Sequence, residues 1–399
     1  MLPSVMLGKR LLCAVGIALA GAAVRAAGAA ASGADLVPER MAQVSRSVEQ
    51  VRGRKFARAV PASRIDKAEL RRVLTAKIAE GLPTGLDEYF RTLAAVGLIE
   101  LSPRLTDALV DFYVSQVVAF YDSDTRRFYV AEGAEAAAGA GADTDVGQNL
   151  IFSHELTHAL QDESLRLSEK VQALKEDGDR SLALQCLLEG EATLVMIRVA
   201  LAALPGGGEE IEEQMGPLLT AGALERANVP KEVPDYFVEQ LFFPYADGTE
   251  FVRAAVKKGG WAEVDRMWRN PPLSTSEILH GAPYPPPAQG LLPANLAGLV
   301  PGHLVYTDTL GEWSLRFLLG RALPEDEAAK AATGWRGDRI AYYASATTIG
   351  YWWKLRFEDG AAAARFEAAL RKARAARPVA TPETIRADGP DVLVTAGTK

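Results

Sequence analysis

His154-Glu155-Leu156-Thr157-His158 sets two imidazoles four residues apart around a carboxylate. No proline interrupts the chain from Gly147 to Asp162. Leu150, Phe152, Leu156, Ala159 and Leu160 give that stretch an apolar side, while Ile151, His154, His158 and Asp162 mark another direction. This pattern predicts a helix, capped by Thr144 or Asp145 after the alanine- and glycine-rich run that ends at Asp143. Residues four apart on a helix stand above one another, so both imidazoles can reach one ion. Glu155 lies about 100° around the axis, where it misses the ion and can face a water beside it. Zinc suits such donors, and it lowers the pKa of a bound water to about 7, within reach of Glu155 as general base. The chain holds only 4 histidines, so a chance pairing of this kind is improbable.

A catalytic zinc takes three protein ligands and keeps one position open. The third ligand must come from elsewhere, on something rigid. Residues Ser181 to Leu204 read as a mostly apolar helix interrupted by Glu189 and Glu191. A carboxylate on a buried helix is costly unless a metal or a partner compensates it, which makes this pair the candidate source.

His154 to His158, followed by Glu189-Gly190-Glu191-Ala192, resembles the gluzincin group of zinc peptidases. In that group a second helix supplies a glutamate, often as the first residue of an E-G-x-A string. The resemblance implies one Zn2+ held by His154, His158 and Glu189, with Glu155 as general base. It leaves Glu191 as a carboxylate that orients the site or stands in as the ligand. A looser resemblance, to secreted bacterial candidate metallopeptidases of unknown function, runs from about Val118 to Phe366. Its matching stretches are Ala119 to Val130, His154 to Asp162, Glu189 to Thr193, Pro271 to His280 and Gly334 to Arg339. Two features depart from the gluzincin pattern. The interval from His158 to Glu189 is longer, and Thr193 stands where some branches carry an aspartate. Asp162 or Asp338 would then orient a ligand imidazole instead.

At 399 residues the chain can bury a substantial core, and 48% hydrophobic with 24% charged residues is an ordinary globular composition. A net charge of -7 argues against nucleic acid and gives no attraction to anionic membranes. Lys9-Arg10, the apolar run from Leu11 to Ala23 and the small residues through Ala31 read as a signal peptide over 1–31. The run is too short for a comfortable span, so no stable membrane span is expected after cleavage; an uncleaved anchor is the alternative. Export makes the protein secreted or periplasmic. The chain has 2 cysteines, and loss of the leader with Cys13 leaves Cys186 alone, a small core residue with no disulfide to form. A helical N-terminal region is expected over 32–116, either packing against the enzyme or inhibiting it. A metallohydrolase domain follows over 117–378, and a loose tail over 379–399.

Phe120-Tyr121 and Arg127 to Val130 flank Asp122 to Thr125 as strand, turn and strand. In zincin-type folds a small sheet lies beside the metal helix and pairs with extended peptide, and Arg126 to Val130 is the nearest candidate edge. A donor for a developing oxyanion would complete the site. His280, Tyr306 and Arg339 are the candidates, with His303, Tyr342 and Tyr343 behind them. The expected fold is α+β and mostly helical, with a zincin-like core of metal helix, glutamate helix and small sheet. The expected function is an exported zinc metallohydrolase, foremost a peptidase acting on peptide or protein. The alternatives are a catalytically silent zinc-binding envelope protein and a hydrolase of non-peptide amide or ester bonds.

Overall fold

The computed structural model describes residues 37–132, 145–165, 174, 176–202, 212, 229–293, 301–346 and 349–397, and over these the fold is α+β with helix predominating. Residues 1–31, expected to be a signal peptide, Thr144, the proline-glycine stretch at 205–208 and part of the connection at 163–180 lie outside the described residues.

Helices α1 (Val37–Arg52), α2 (Lys67–Gly81), α3 (Leu86–Ala95) and α4 (Leu105–Gln116) form the N-terminal region. Strand β1 (Ala62–Ile65) interrupts them, so the region is not purely helical. Asp66 starts α2 by accepting the Glu69 N–H at 2.8 Å, a side-chain cap for an otherwise orphaned donor. Strands β2 (Ala119–Asp122) and β3 (Arg127–Ala131) form the expected hairpin, and β1 adds parallel to β3. The sheet order is therefore β1-β3-β2. This corrects one expectation: Arg126 to Val130 cannot offer a free edge, because β3 is paired on both sides. β1 and β2 are the outer strands of this sheet.

Helices α5 (Asp145–Leu165), α6 (Gly178–Ala202) and α7 (Asp235–Arg269) make the centre of the molecule. Helix α6 is buried on every side from Ser181 to Ile197, which explains why its sequence is apolar all round. Leu184, Leu187, Leu188 and Leu194 of α6 pack with Val252, Val264 and Trp268 of α7, each such side chain contributing roughly 1.5–3 kcal/mol on burial. Helix α7 breaks at Gly259 and Gly260, the latter at φ 64, so its last turns change direction.

After the short α8 (Thr275–His280) come β4 (His303–Asp308), α9 (Gly311–Gly320), α10 (Glu325–Ala332), β5 (Trp335–Ala344), β6 (Ile349–Phe357), α11 (Gly360–Ala376), β7 (Glu383–Asp388) and β8 (Asp391–Ala396). The strands make one antiparallel sheet in the order β4-β5-β6-β8-β7. The C-terminal segment is therefore not a loose tail. Val392, Val394 and Ala396 alternate inward and are fully buried, and β8 lies between β6 and β7. Gly389 at φ 56 permits the hairpin turn between β7 and β8.

A single core cluster runs from Met41 to Ala396 and takes in both the N-terminal helices and the C-terminal sheet. Both this core and the sheet β1-β3-β2 run across residue 116, so no separate core or sheet marks a boundary there. Among the described residues no helix is long and apolar enough to cross a membrane.

Candidate metal centre

His154 and His158 lie one turn apart on α5, on the side that faces α6. Glu189 meets them there. His154 Nε2 is 3.0 Å from His158 Nε2 and 3.0 Å from Glu189 Oε2, and His158 Nε2 is 3.4 Å from the same oxygen. The three residues are 1%, 3% and 1% exposed. Among the described residues this is the group of metal-ligating side chains that could hold an ion.

The donor set fits zinc. Nitrogen and oxygen ligands at about 2.0–2.1 Å in a tetrahedron stand roughly 3.3 Å apart, close to all three observed separations. The tautomer also fits. The Gln161 amide is fixed because its Nε2 donates to Leu188 O at 3.1 Å and Glu191 Oε2 at 3.0 Å, both acceptors. Its Oε1 must then accept from His158 Nδ1, 2.8 Å away, which places a proton on Nδ1 and leaves Nε2 as the nitrogen that faces Glu189 and His154. Glu189 Oε1 is a buried oxygen with no hydrogen-bond partner, a costly arrangement that a cation beside the carboxylate relieves. Burial opposes ionisation of Glu189, yet the His158 and His154 imidazoles outweigh it and hold the carboxyl down at about 2. Burial lowers His154, whereas for His158 the Glu189 charge overcomes burial and lifts it to about 9.

Glu155 turns away from this trio, as its place on the helix requires. Its Oε2 accepts the Tyr121 backbone N–H at 2.7 Å, from the outer side of β2, and its Oε1 is buried without a partner. Burial pushes its carboxyl well above the usual carboxylate range, against the His158 charge and the Tyr121 N–H. A carboxylate held in this way is a stronger base than an exposed one.

Glu191 touches the trio through another side chain. One oxygen pairs with the buried guanidinium of Arg52 from α1, and the other accepts from Gln161 and from Trp268 Nε1 at 2.7 Å. Arg52 also donates to Asp265 at 2.5 Å. A chain of hydrogen bonds thus runs from Arg52 through Glu191 and Gln161 to His158.

Gly190 explains why a glycine separates the two glutamates. A Cβ there would lie 2.1 Å from Gly248 O, and a Cβ on Gly248 would lie 2.4 Å from Cys186 O. The backbones of α6 and α7 are in direct contact. This crossing lets Tyr245, three residues before Gly248, lay its ring on His154 at 5.9 Å between centroids and 24° between planes.

The other sequence candidates are engaged elsewhere. His280 Nε2 is shared with Glu312 at 2.8 Å and Arg316 at 3.3 Å, and its ring stacks on Tyr284. Tyr306 bonds Thr92 Oγ1 at 2.9 Å. Arg339 donates to Glu176 O at 2.5 Å and to Thr307 and Thr309. Asp162 accepts from the Tyr121 hydroxyl at 3.0 Å, and Asp338 accepts from Leu310 N, Gly311 N and the indoles of Trp335 and Trp353. The imidazole of His158 is oriented by Gln161, three residues on along the same helix. That spacing was available in the sequence; Arg52, Trp268 and Tyr245 arrive from segments with no such signal.

Comparison with known proteins adds little about this centre. A family model described as a domain of unknown function (DUF8575) matches residues 300–396, which span β4 to β8 and contain none of the trio. No curated protein matches the chain. Among solved structures, a Chloroflexus aurantiacus protein described as a candidate hydrolase with a novel fold is 20% identical, with a TM-score of 0.39, over 68% of this chain and 95% of that one.

Proposed function

We propose that this chain is an exported zinc-dependent hydrolase, that its preferred substrates are peptides, and that its centre is of the gluzincin kind. The observation that carries the reading is the convergence of His154 Nε2, His158 Nε2 and Glu189 Oε2, with Glu155 next to His154 in the chain. Held by His154, His158 and Glu189, a zinc would supply Lewis acidity toward a water and a carbonyl. Glu155 Oε1 takes the proton of the attacking water and returns one to the leaving amine, while the Tyr121 N–H holds the other carboxylate oxygen in place. Burial keeps bulk water away from this exchange and raises the basicity of Glu155.

The place of β2 as an outer strand of its sheet favours a peptide over other carbonyl substrates. Phe120 and Asp122 face β3 with their backbone groups, so those of Ala119 and Tyr121 point outward, on the side where Glu155 is held. An extended segment hydrogen-bonded to Ala119 and to the Tyr121 carbonyl would run past the general base. The leader at 1–31 belongs to the same proposal and assigns the work to the periplasm or the exterior.

Metal content and unbiased peptide-library cleavage of the chain beside Glu155→Gln test it. Near-stoichiometric zinc in both proteins with cleavage lost in the variant is the expected result. Zinc in both with cleavage in neither would replace the peptidase with a silent zinc-binding protein or a hydrolase of another bond, and no zinc in either would end the reading.

A further inference from the structure

A cavity of about 150 Å³ has a wall drawn from the C-terminal ends of α3, α9 and α11 and contains none of the metal trio. The charged side chains in that wall are Arg321, Arg374, Arg377 and Glu100, three guanidiniums against one carboxylate. A space of this volume takes several waters, and so has room for a tetrahedral oxyanion. In a chain of net charge -7 such a local excess of cations calls for a cause.

Helix capping is part of the cause. Arg321 and Arg374 donate to carbonyls at the end of α3, Gly97 O and, at 2.8 Å, Val96 O, and cations are favoured at helix C-termini. Capping does not use the whole set. Arg374 is balanced by Glu383, to which its Nε and Nη2 donate at 2.7 and 3.1 Å. Its Nη1 donates to no described residue and lies beside Gly97, where a Cβ would stand 2.9 Å from it. Arg321 and Arg377 share one oxygen, Glu100 Oε1, which is 3.0 Å from Arg321 Nη2. The Glu100 side chain is 75% exposed, and a carboxylate so open to water holds its partners weakly. Burial and then the charge of Arg377 hold the Arg321 guanidinium below its ordinary pKa, against the attraction of Glu100 and Asp235.

Once Glu100 swings into solvent, Arg321 and Arg377 keep no ion-pair partner. Their two charges match a phosphate group, which carries about -1.5 to -2 at neutral pH and whose oxygens fit guanidinium forks. We propose that this cavity binds the phosphate group of a soluble ligand, held by Arg321, Arg374 and Arg377 in exchange for Glu100. A soluble source follows from the recess, since the Arg321 and Arg374 side chains are 19% and 12% exposed, and from the net negative charge, which repels an anionic membrane. An occupant would fasten the α3–α4 connection to α11, segments 277 residues apart at Glu100 and Arg377. The site stands whether or not the metal centre cleaves peptides.

The test is calorimetric titration of the zinc-loaded chain with inorganic phosphate and, at equal ionic strength, with acetate, alongside thermal melting in each salt. Phosphate should bind at least tenfold more tightly than acetate and raise the melting temperature, as a ligand of the folded state does. Arg377→Gln should weaken phosphate binding at least tenfold. Glu100→Gln should tighten it severalfold, because the competing carboxylate is gone. Both substitutions fall on exposed side chains, so the fold is kept in each. No phosphate binding, equal affinity for acetate, affinity unchanged in both variants, or a loss in Glu100→Gln overturns the site and leaves the arginines as helix caps alone. Sedimentation with vesicles of equal phosphatidylcholine and phosphatidic acid should leave the chain in the supernatant. Retention on those vesicles that Arg377→Gln abolishes would overturn the soluble source and put the phosphate on a lipid headgroup.

Discussion

Arg52 and Glu191, 139 residues apart in the chain, form an ion pair in the interior with each residue 2% exposed. The pair ties the N-terminal helix α1 to the metal centre, because the second Glu191 oxygen fixes the Gln161 amide that sets the His158 tautomer. Removing one member of a buried pair leaves an uncompensated charge and costs about 3–5 kcal/mol. Arg52→Ala should lose about that much unfolding free energy in denaturant titration. Zinc affinity, measured by competition with a chromogenic chelator under conditions where the variant is folded, should fall 10–100-fold, the usual consequence of disturbing a ligand's orienting partner. Arg52→Lys should recover part of both. Unaltered zinc affinity in folded Arg52→Ala would show that α1 is not coupled to the centre. The same pair bears on the inhibitory prosegment weighed for this region: proteolytic removal of α1 should inactivate the protein.

Zinc removal gives a second prediction. A ligand that binds only the folded chain adds stability of about 2.7 kcal/mol at one hundred times its dissociation constant. Dialysis against a chelator should therefore lower the melting temperature by several degrees, and stoichiometric zinc should restore it. His154→Ala, measured in parallel, should melt at the same temperature with and without the chelator. An identical response in that variant would place the bound metal elsewhere.

The metal ligands were legible in the sequence because their chemistry is local: one helical turn fixes His154 against His158, and two carboxylates intrude on the apolar α6. The neighbourhood was legible only in part. Gln161 sits at a helical spacing from His158 that could have been read. Arg52, Trp268 and Tyr245 converge through tertiary packing that no local pattern encodes. The small hairpin was visible, yet its edge was misassigned, since β1 comes from a remote segment and pairs over β3. The C-terminal strands were missed although Asp388-Gly389 is a hairpin signal and Val392, Val394 and Ala396 alternate.

Asp338 separates structural from metal-orienting roles. Two backbone N–H groups and two indoles donate to it, at 2.9 to 3.1 Å, in a site that is 2% exposed. Asp338→Ala strands four buried donors at about 1–3 kcal/mol each, so the chain should fail to fold or melt far lower. Asp338→Asn keeps one acceptor oxygen and should be the milder lesion. Zinc affinity of the folded Asn variant should match the unsubstituted chain, as measured by the same chelator competition. A tenfold loss there would return Asp338 to the metal centre.

Gly190 offers the sharpest geometric prediction, because what a side chain there would strike is backbone. The atom 2.1 Å from its would-be Cβ is the Gly248 carbonyl oxygen, and no rotamer change can move it. Gly190→Ala must push α6 and α7 apart, at a cost of about 1–3 kcal/mol or more for overpacking. The displacement acts on Glu189, one residue away, and on Tyr245, three residues from Gly248, so zinc binding should suffer beyond what lost stability explains. Gly320, in α9, is the control: the nearest atom to its would-be Cβ is Ala328 Cβ at 4.0 Å. Gly320→Ala should be neutral or stabilise by about 0.4–1 kcal/mol, since it narrows the unfolded ensemble without a clash. Unfolding midpoints and zinc stoichiometry for the two variants decide the matter: if Gly190→Ala keeps full zinc and the stability of Gly320→Ala, the backbone contact between the helices does not set the geometry of the trio.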